Sequence, residues 1–297
     1  MMNTVHPLAE YLAPLAVDIS DSEKESVIGE AVKNLTAGNA YLIGFSGKKA
    51  AGKDTLAMKF QENLPIMAGM TQISAGIKNE ASEMFGIFYE WIEREKSIHA
   101  DNLKSGRSAA TFDTSSLETE RAARESTRYE KFATRFNVTH RNIDHIYKTV
   151  YSLLKTTSGI DGYSRANEVI AALQYLGKDV RQPQDDVYWT RKMLWLVALN
   201  ASKGITSLVP DVRFTHDAQS VTDCGGYLIR IDIDKDEQVK RLQNRDGVVV
   251  SDDILNHPSE TELDDYTGFD LRIDSQSGDA DEIYTVAAGN WRKKVDF

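Results

Sequence analysis

The stretch that decides the fold is YLIGFSGKKAAGKDT, residues 41–55. Its apolar start, residues 41–45, predicts a buried strand, and the run LAMKFQENL directly after it predicts a helix. The glycine-rich segment between them fits the G-x-x-x-x-G-K pattern of a phosphate-binding loop, which requires this order of strand, loop and helix. The alternative is an ordinary glycine-containing turn before a helix.

Each part of this loop has a physical task. Glycines let the backbone turn so that N–H groups point at phosphate oxygens, and the N-terminus of the next helix adds partial positive charge there. Lys53 can reach the β- and γ-phosphates as a point charge. The expected cofactor-binding residues for ATP are Gly47, Lys48, Ala50, Ala51, Gly52, Lys53, Asp54 and Thr55.

The position after the lysine departs from the general pattern. That pattern places Ser or Thr there, and the hydroxyl ligates magnesium. Here the position holds Asp54, and Thr55 follows one residue later. We therefore expect Mg²⁺ to be approached by Asp54, by Thr55 or by both.

Composition and charge restrict the class of protein. The 297 residues are 41% hydrophobic and 27% charged, which is ordinary for a globular protein. The net charge of −10 argues against a stable nucleic-acid partner. No apolar run is long enough to predict a membrane span, and the N-terminal segment has no basic region typical of a secretory signal. The single cysteine, Cys224, favours a cytoplasmic location and is expected to be packed rather than reactive.

The order of predicted elements indicates an α/β fold. Strands are predicted at 41–45, 70–74, 205–209, 227–233 and 269–273. Helices are predicted at about 22–35, 54–64, 75–85, 186–202, 215–223, 235–245 and 279–293. Strands that alternate with helices predict a parallel sheet sandwiched by helices. Residues 1–39 are expected to form a helical extension packed on the core, and residues 40–297 one domain with a helical insertion at about 90–160.

Two charged residues follow the strand predicted at 205–209. In an open parallel sheet, functional groups lie beyond the carboxyl ends of the strands. Asp211 could therefore hold magnesium or its water shell, and Arg213 could bind a phosphate bidentately. The alternative is a helix-capping Asp beside a surface Arg.

Further polar residues fit the binding of a second phosphate compound. Arg241 and Arg245 are four residues apart on one predicted helical face, which suits a lid that closes over a transferring phosphoryl group. The alternative is a solvated basic face paired with nearby acids. Gln174 could bond to a base edge, and Arg181 could hold an acceptor phosphate.

Several segments, taken in order, resemble the deoxynucleoside monophosphate kinases of large DNA bacteriophages. They cover most of the chain from about residue 40 to 290. They are residues 47–55, Ser74-Ala75 with Ile77-Lys78, Leu173-Gln174 with Gly177 and Arg181, Trp189, residues 211–214, Gly225-Gly226, residues 257–260, and Phe269-Asp270 with Ile273-Asp274.

The resemblance implies a P-loop kinase fold with a helical acceptor-binding insertion and a lid, and MgATP-dependent conversion of a dNMP to a dNDP. Asp54 fits the loop of this family. The catalytic residues would be Lys53, Arg213, Arg241 and Arg245. The substrate would be bound by Ser74, Lys78, Gln174, Arg181 and Asp211, and the metal by Asp54, Thr55 and Asp211.

Two other functions remain open from the sequence. One is a P-loop kinase for another small phosphorylated acceptor, and the other is a nucleotide-dependent switch that hydrolyses slowly without an acceptor. A DNA motor is disfavoured because the chain is acidic. The accepted base, the choice between ribose and deoxyribose, and a homodimeric state are left open. If the chain is viral, its location would be the host cytoplasm.

Overall fold

The computed structural model of the chain describes residues 5–17, 19–77, 185–246, 255–276 and 278–296. The chain divides into two compact units, residues 1–75 with 187–297 and residues 76–186. Nearly all of the second unit lies outside the described residues, including the insertion predicted at 90–160. The fold is therefore that of the first unit.

One five-stranded sheet is present in the described part of the chain, and all its pairings are parallel. Its strands are β1 (Leu42–Gly47), β2 (Ala68–Met70), β3 (Thr206–Val212), β4 (Tyr227–Asp232) and β5 (Leu271–Asp274). Their spatial order is β2-β3-β1-β4-β5. Strands β2 and β3 lie on one side of β1, and the later strands β4 and β5 lie on the other. The carboxyl end of β1 is therefore a topological switch point, where such sheets bind ligands. The predicted parallel sheet is confirmed.

Helices cover the sheet, and local capping explains where several of them start. They are α1 (Pro7–Leu12), α2 (Asp21–Thr36), α3 (Lys53–Asn63), α4 (Tyr188–Ala201), α5 (Thr215–Asp223), α6 (Lys235–Asp246), α7 (Pro258–Thr261) and α8 (Ala280–Val295). Ser20 with Glu23 forms a capping box at the start of α2, and Asp279 with Glu282 does the same for α8. Helices α2, α3, α4, α5, α6 and α8 agree with predicted helices to within two residues at each end. Helix α7 falls in a segment predicted as a loop, and most of the helix predicted at 75–85 lies outside the described residues.

Successive residues of β1 enter two different hydrophobic cores. Leu42 packs in a core with α1, α2, α4 and α5, whereas Ile43 packs in a core with α3 and α8. This alternation follows from the pleat of a strand, and both faces are buried, as is usual in a parallel sheet. The second core contains Trp291, which is fully buried with its ring 5.2 Å from that of Tyr41.

Helices α1 and α2, which belong to the predicted extension 1–39, share the first core with α4. Leu8, Leu12 and Ala31 are fully buried there. The amide of Asn34 donates a 2.8 Å hydrogen bond to the carbonyl oxygen of Ala201 at the end of α4. These residues therefore pack on α4. Within the described ranges, no helix has the length and apolar character that a membrane crossing requires.

Strand β3 is longer than predicted because it contains a bulge. Gly44 pairs with Val209 and Ser46 with Val212, so two steps along β1 match three along β3. The extra length falls at Pro210 and Asp211. Proline has no N–H for a ladder hydrogen bond, and a bulge is one of the few places where a sheet tolerates it.

The strand predicted at 70–74 is wrong in all but its first residue. Strand β2 ends at Met70, and residues 73–77 are helical up to the edge of the described range. The reason is a distant carboxylate: Asp211 accepts the N–H groups of Ile73 and Ser74, both at 2.9 Å. That contact starts a helical turn where the local sequence favoured a strand.

A methyl group added at Gly226, just before β4, would lie 2.7 Å from the carbonyl oxygen of Val221. We therefore expect Gly226→Ala to lower the free energy of unfolding by about 1–3 kcal/mol. Gly29→Ala is the matched control, because no atom lies within 4 Å of that position in the middle of α2. It should raise stability by up to about 1 kcal/mol. Urea unfolding measures both, and equal stability of the two variants would contradict the predicted packing.

Cys224 is buried, with 3% of its surface exposed, as expected from the sequence. Burial raises the pKa of its thiol to about 12. At pH 8 the folded protein therefore holds far less thiolate than an unfolded chain, whose cysteine pKa is about 8.5. We expect Ellman's reagent to react slowly with the folded protein and to find one thiol per chain in urea. Rapid reaction of the folded protein would contradict this.

Candidate functional site

Residues 47–53 connect β1 to α3 at the switch point of the sheet. Ala50 and Gly52 have positive φ angles of 64° and 100°. Such a conformation is rare for alanine and stores local strain of about 1–2 kcal/mol. A methyl group at Gly47 would lie 2.8 Å from the carbonyl oxygen of Ile231, so only glycine fits between the loop and β4. The loop is a tight turn held against the neighbouring strand.

A lysine and the N-terminus of α3 lie together at the end of this turn. Lys53 is the first residue of α3 and only 5% exposed, and its ammonium lies 2.9 Å from the carboxylate of Asp54. Among the described residues no side chain caps α3 after Gly52, so the N–H groups of its first turn have no partner within the helix. A lysine and open N–H groups at one helix end form an arrangement that binds anions. Asp54 and Thr55 are exposed in the same turn.

Glu260 binds the loop from the outside. Its Oε2 accepts the N–H of Lys49 at 2.6 Å, and its Oε1 pairs with Nη1 of Arg213 at 2.7 Å. The Glu260 side chain is only 1% exposed. His257 caps the helix α7 that carries Glu260, and Pro258 starts it. Glu260 thus connects the loop after β1 to the arginine that follows β3.

Asp264 makes a second connection of the same kind. Its carboxylate pairs with Nζ of Lys48 at 2.8 Å and with Nη2 of Arg230 at 2.7 Å. Arg230 is buried in β4 and also donates to the hydroxyl of Ser46 at 3.1 Å. We call Glu260 and Asp264 the acid clamp. Glu260 joins Lys49 of the loop to Arg213, which follows β3. Asp264 joins Lys48 of the loop to Arg230 of β4.

Two side chains of helix α6 donate hydrogen bonds to backbone carbonyl groups of the loop. Arg241 donates to the carbonyl oxygen of Ala50 at 3.3 Å, and Gln238 donates to that of Lys49 at 3.2 Å. Arg241 also pairs with Glu237 at 2.8 Å, a hydrogen bond that lowers the pKa of this glutamate. Arg241, predicted to belong to a lid, therefore lies against the turn at residues 47–53 and is already paired with Glu237. The side chain of Arg245 is outside the described residues.

Asp211 has the contacts of a helix cap. Both of its carboxylate oxygens accept N–H groups, those of Ile73 and Ser74. This is the capping alternative considered from the sequence, and it brings Ser74 to the end of β3 through its backbone. A carboxylate retains further lone pairs, so a role of Asp211 as a magnesium ligand stays a prediction.

The backbone at Arg213 is held by a buried acid. Asp217 accepts hydrogen bonds from the Thr190 hydroxyl at 2.6 Å and from the N–H of Phe214 at 3.2 Å. Burial raises the pKa of Asp217. The turn from β3 into α5, which carries Arg213, is therefore anchored to α4.

The described contacts connect part of the predicted site. Arg213 is joined to the loop through Glu260, and Arg241 touches the loop directly. Lys78, Gln174 and Arg181 lie outside the described residues.

The sequence reasoning missed the acid clamp, Arg230 and Asp217. Two signals in the sequence could have revealed the acid clamp and Arg230. The acids of the clamp are four residues apart after a helix-starting proline, and Arg230 interrupts an apolar strand, where a charge requires a buried partner.

Replacing Asp211 separates capping from metal binding. We expect Asp211→Ala to lower the free energy of unfolding by about 1–2 kcal/mol without any ligand, because two N–H groups lose their acceptor. Asp265→Ala, at an exposed acid, should change it by less than about 0.5 kcal/mol. Urea unfolding in the presence of EDTA measures both. If Asp211→Ala is as stable as the parent protein, the capping interpretation is wrong.

A scan against protein-family models found no match for this chain, and a search of curated proteins found no significant match. Its function must therefore be inferred from the chemistry of the site.

Proposed function

We propose that the chain is an ATP-dependent deoxynucleoside monophosphate kinase, which transfers the γ-phosphoryl group of ATP to a dNMP. The observation that carries the proposal is the turn at residues 47–53, at the switch point of a parallel sheet, with the buried Lys53 at an uncapped helix N-terminus. The ordered resemblance of the sequence segments supports the choice of acceptor. The proposal includes a cytoplasmic location, where deoxynucleotide pools are made.

The residues of the turn fit a bound triphosphate. The first-turn N–H groups of α3 and the ammonium of Lys53 would hold its β- and γ-phosphates. The ammonium of Lys53 would leave Asp54 and bind these phosphates, because a polyanion attracts it more strongly than one exposed carboxylate does.

The donor set also fits magnesium carried by the nucleotide. No cluster of three or more metal-ligating side chains occurs within the described ranges. Mg²⁺ usually needs only one or two protein carboxylates, because phosphates and water complete its shell. Asp54, Thr55 and Asp211 would supply these ligands, and the ion would neutralise charge on the phosphates.

Positioning and charge neutralisation suffice for the proposed reaction. The acceptor oxygen of a nucleoside monophosphate is already anionic, so no general base is required. The planar fork of Arg213 would hold a phosphate on the acceptor side, and Arg241 with Arg245 would add charge as the lid closes. Ser74, Lys78, Gln174 and Arg181 would complete the acceptor site.

The test of the reaction is ADP production from ATP with a panel of dNMPs and rNMPs. We expect turnover that depends on the acceptor and is faster with a dNMP. No stimulation by any of them would reject the kinase proposal. Activity with a different small phosphorylated acceptor would support a kinase of that substrate, whereas ATP binding with slow acceptor-independent hydrolysis would indicate a nucleotide-dependent switch.

The role of the loop is tested by Lys53→Met, which keeps an aliphatic chain in the buried position. We expect kcat to fall by about 100-fold or more, because one preorganised positive group at the transferring phosphate is lost. Lys33→Met, at an exposed lysine of α2 that pairs with Glu30, is the matched control and should keep full activity. Full turnover by Lys53→Met would show that the loop does not act as proposed.

A further inference from the structure

The carboxylate of Glu260 contacts two partners that follow different strands. One oxygen accepts the N–H of Lys49 in the loop after β1, and the other pairs with Arg213 after β3. With its side chain 1% exposed, this carboxylate cannot turn to water. A buried charge of this kind is stable only while both its oxygens are satisfied. The distance between the loop and Arg213 is therefore set by one rigid group.

The contact with Glu260 uses only one end of the Arg213 guanidinium. Only Nη1 is engaged, and within the described part of the chain no acceptor faces Nε or Nη2. The Arg213 side chain is 27% exposed. An Nε–Nη2 edge presents two parallel N–H groups, the geometry that binds two oxygens of one phosphate.

We propose that Glu260 is a positioning residue, which holds the free edge of Arg213 beside the loop to receive a phosphate one place beyond the γ-phosphate position. This inference rests on the proposed function for the identity of its ligand, a phosphate chain longer than that of ADP. Glu260 itself touches no substrate. It acts through Arg213.

A purely electrostatic role of Glu260 predicts the opposite effect. If the carboxylate only neutralised Arg213, its removal would leave a free arginine and would tighten the binding of an anion. If it positions Arg213, its removal lets the guanidinium leave its place, and the binding of the distal phosphate weakens. The direction of the change therefore distinguishes the two roles.

The experiment compares the binding of two ligands by titration calorimetry. ADP reports on the loop alone, and adenosine 5′-tetraphosphate extends one phosphate beyond the γ position. Glu260→Gln keeps the shape and an oxygen for the N–H of Lys49 but loses the charge that holds Arg213. Arg213→Met and the double variant complete the cycle. Glu262→Gln is the matched control, because the side chain of this exposed acid in the same segment accepts the N–H of Thr215.

We expect Glu260→Gln and Arg213→Met each to weaken binding of the tetraphosphate by about 10-fold, and the double variant by the same factor. ADP binding should change by less than about 2-fold in all three, since the loop keeps its own contacts. Glu262→Gln should bind both ligands as the parent protein does. If Glu260→Gln does not fold, Glu260→Asp takes its place in the cycle.

Three results would overturn the inference: tighter binding of the tetraphosphate by Glu260→Gln, effects that multiply in the double variant, or an equal loss of ADP binding. The cycle requires no turnover, so its failure is separate from failure of the kinase proposal. A non-additive cycle in a protein without acceptor-dependent turnover rejects the kinase proposal and supports the role of Glu260. Acceptor-dependent turnover together with an additive cycle supports the kinase proposal and rejects the role of Glu260.

Discussion

The parallel pairing of β1 with β3 and β4 is the constraint on which the rest of the structure depends. Because β1 is central, both of its faces are buried, and its carboxyl end is fixed by two neighbouring strands. The turn at residues 47–53 inherits this rigidity. The space beside Ile231 admits only glycine at position 47. The neighbouring strand β4 therefore restricts which residue can begin the turn.

Charge around this turn is arranged in pairs that each join two elements. The acid clamp connects Lys48 and the N–H of Lys49 to Arg230 and Arg213, and Arg241 connects α6 to the turn. Glu260 and Arg230 are buried, and buried charges are expensive unless they are paired, so their contacts favour one arrangement of the surrounding segments. Within the described part of the chain no side chain caps α3, so the N–H groups at its start are open to an anion.

Elements with strong local signals could be predicted from the sequence, and those shaped by distant contacts could not. Helices α2 and α8 begin at capping boxes, whose residues are neighbours in the chain. Strand β2 ends early because Asp211, far along the sequence, captures the N–H groups of Ile73 and Ser74. The extension of β3 through Pro210 depends on a bulge against β1, which local propensity does not encode.

By itself, the sequence determined that a strand, a glycine-rich turn and a helix follow one another at residues 41–64, and that the chain alternates strands and helices. These are properties of periodicity and of residues close in the chain. Only the tertiary structure decided which side chains surround the turn. Glu260 reaches it across more than two hundred residues, and Asp211 serves as a cap, because both contacts depend on strand order rather than on spacing along the chain.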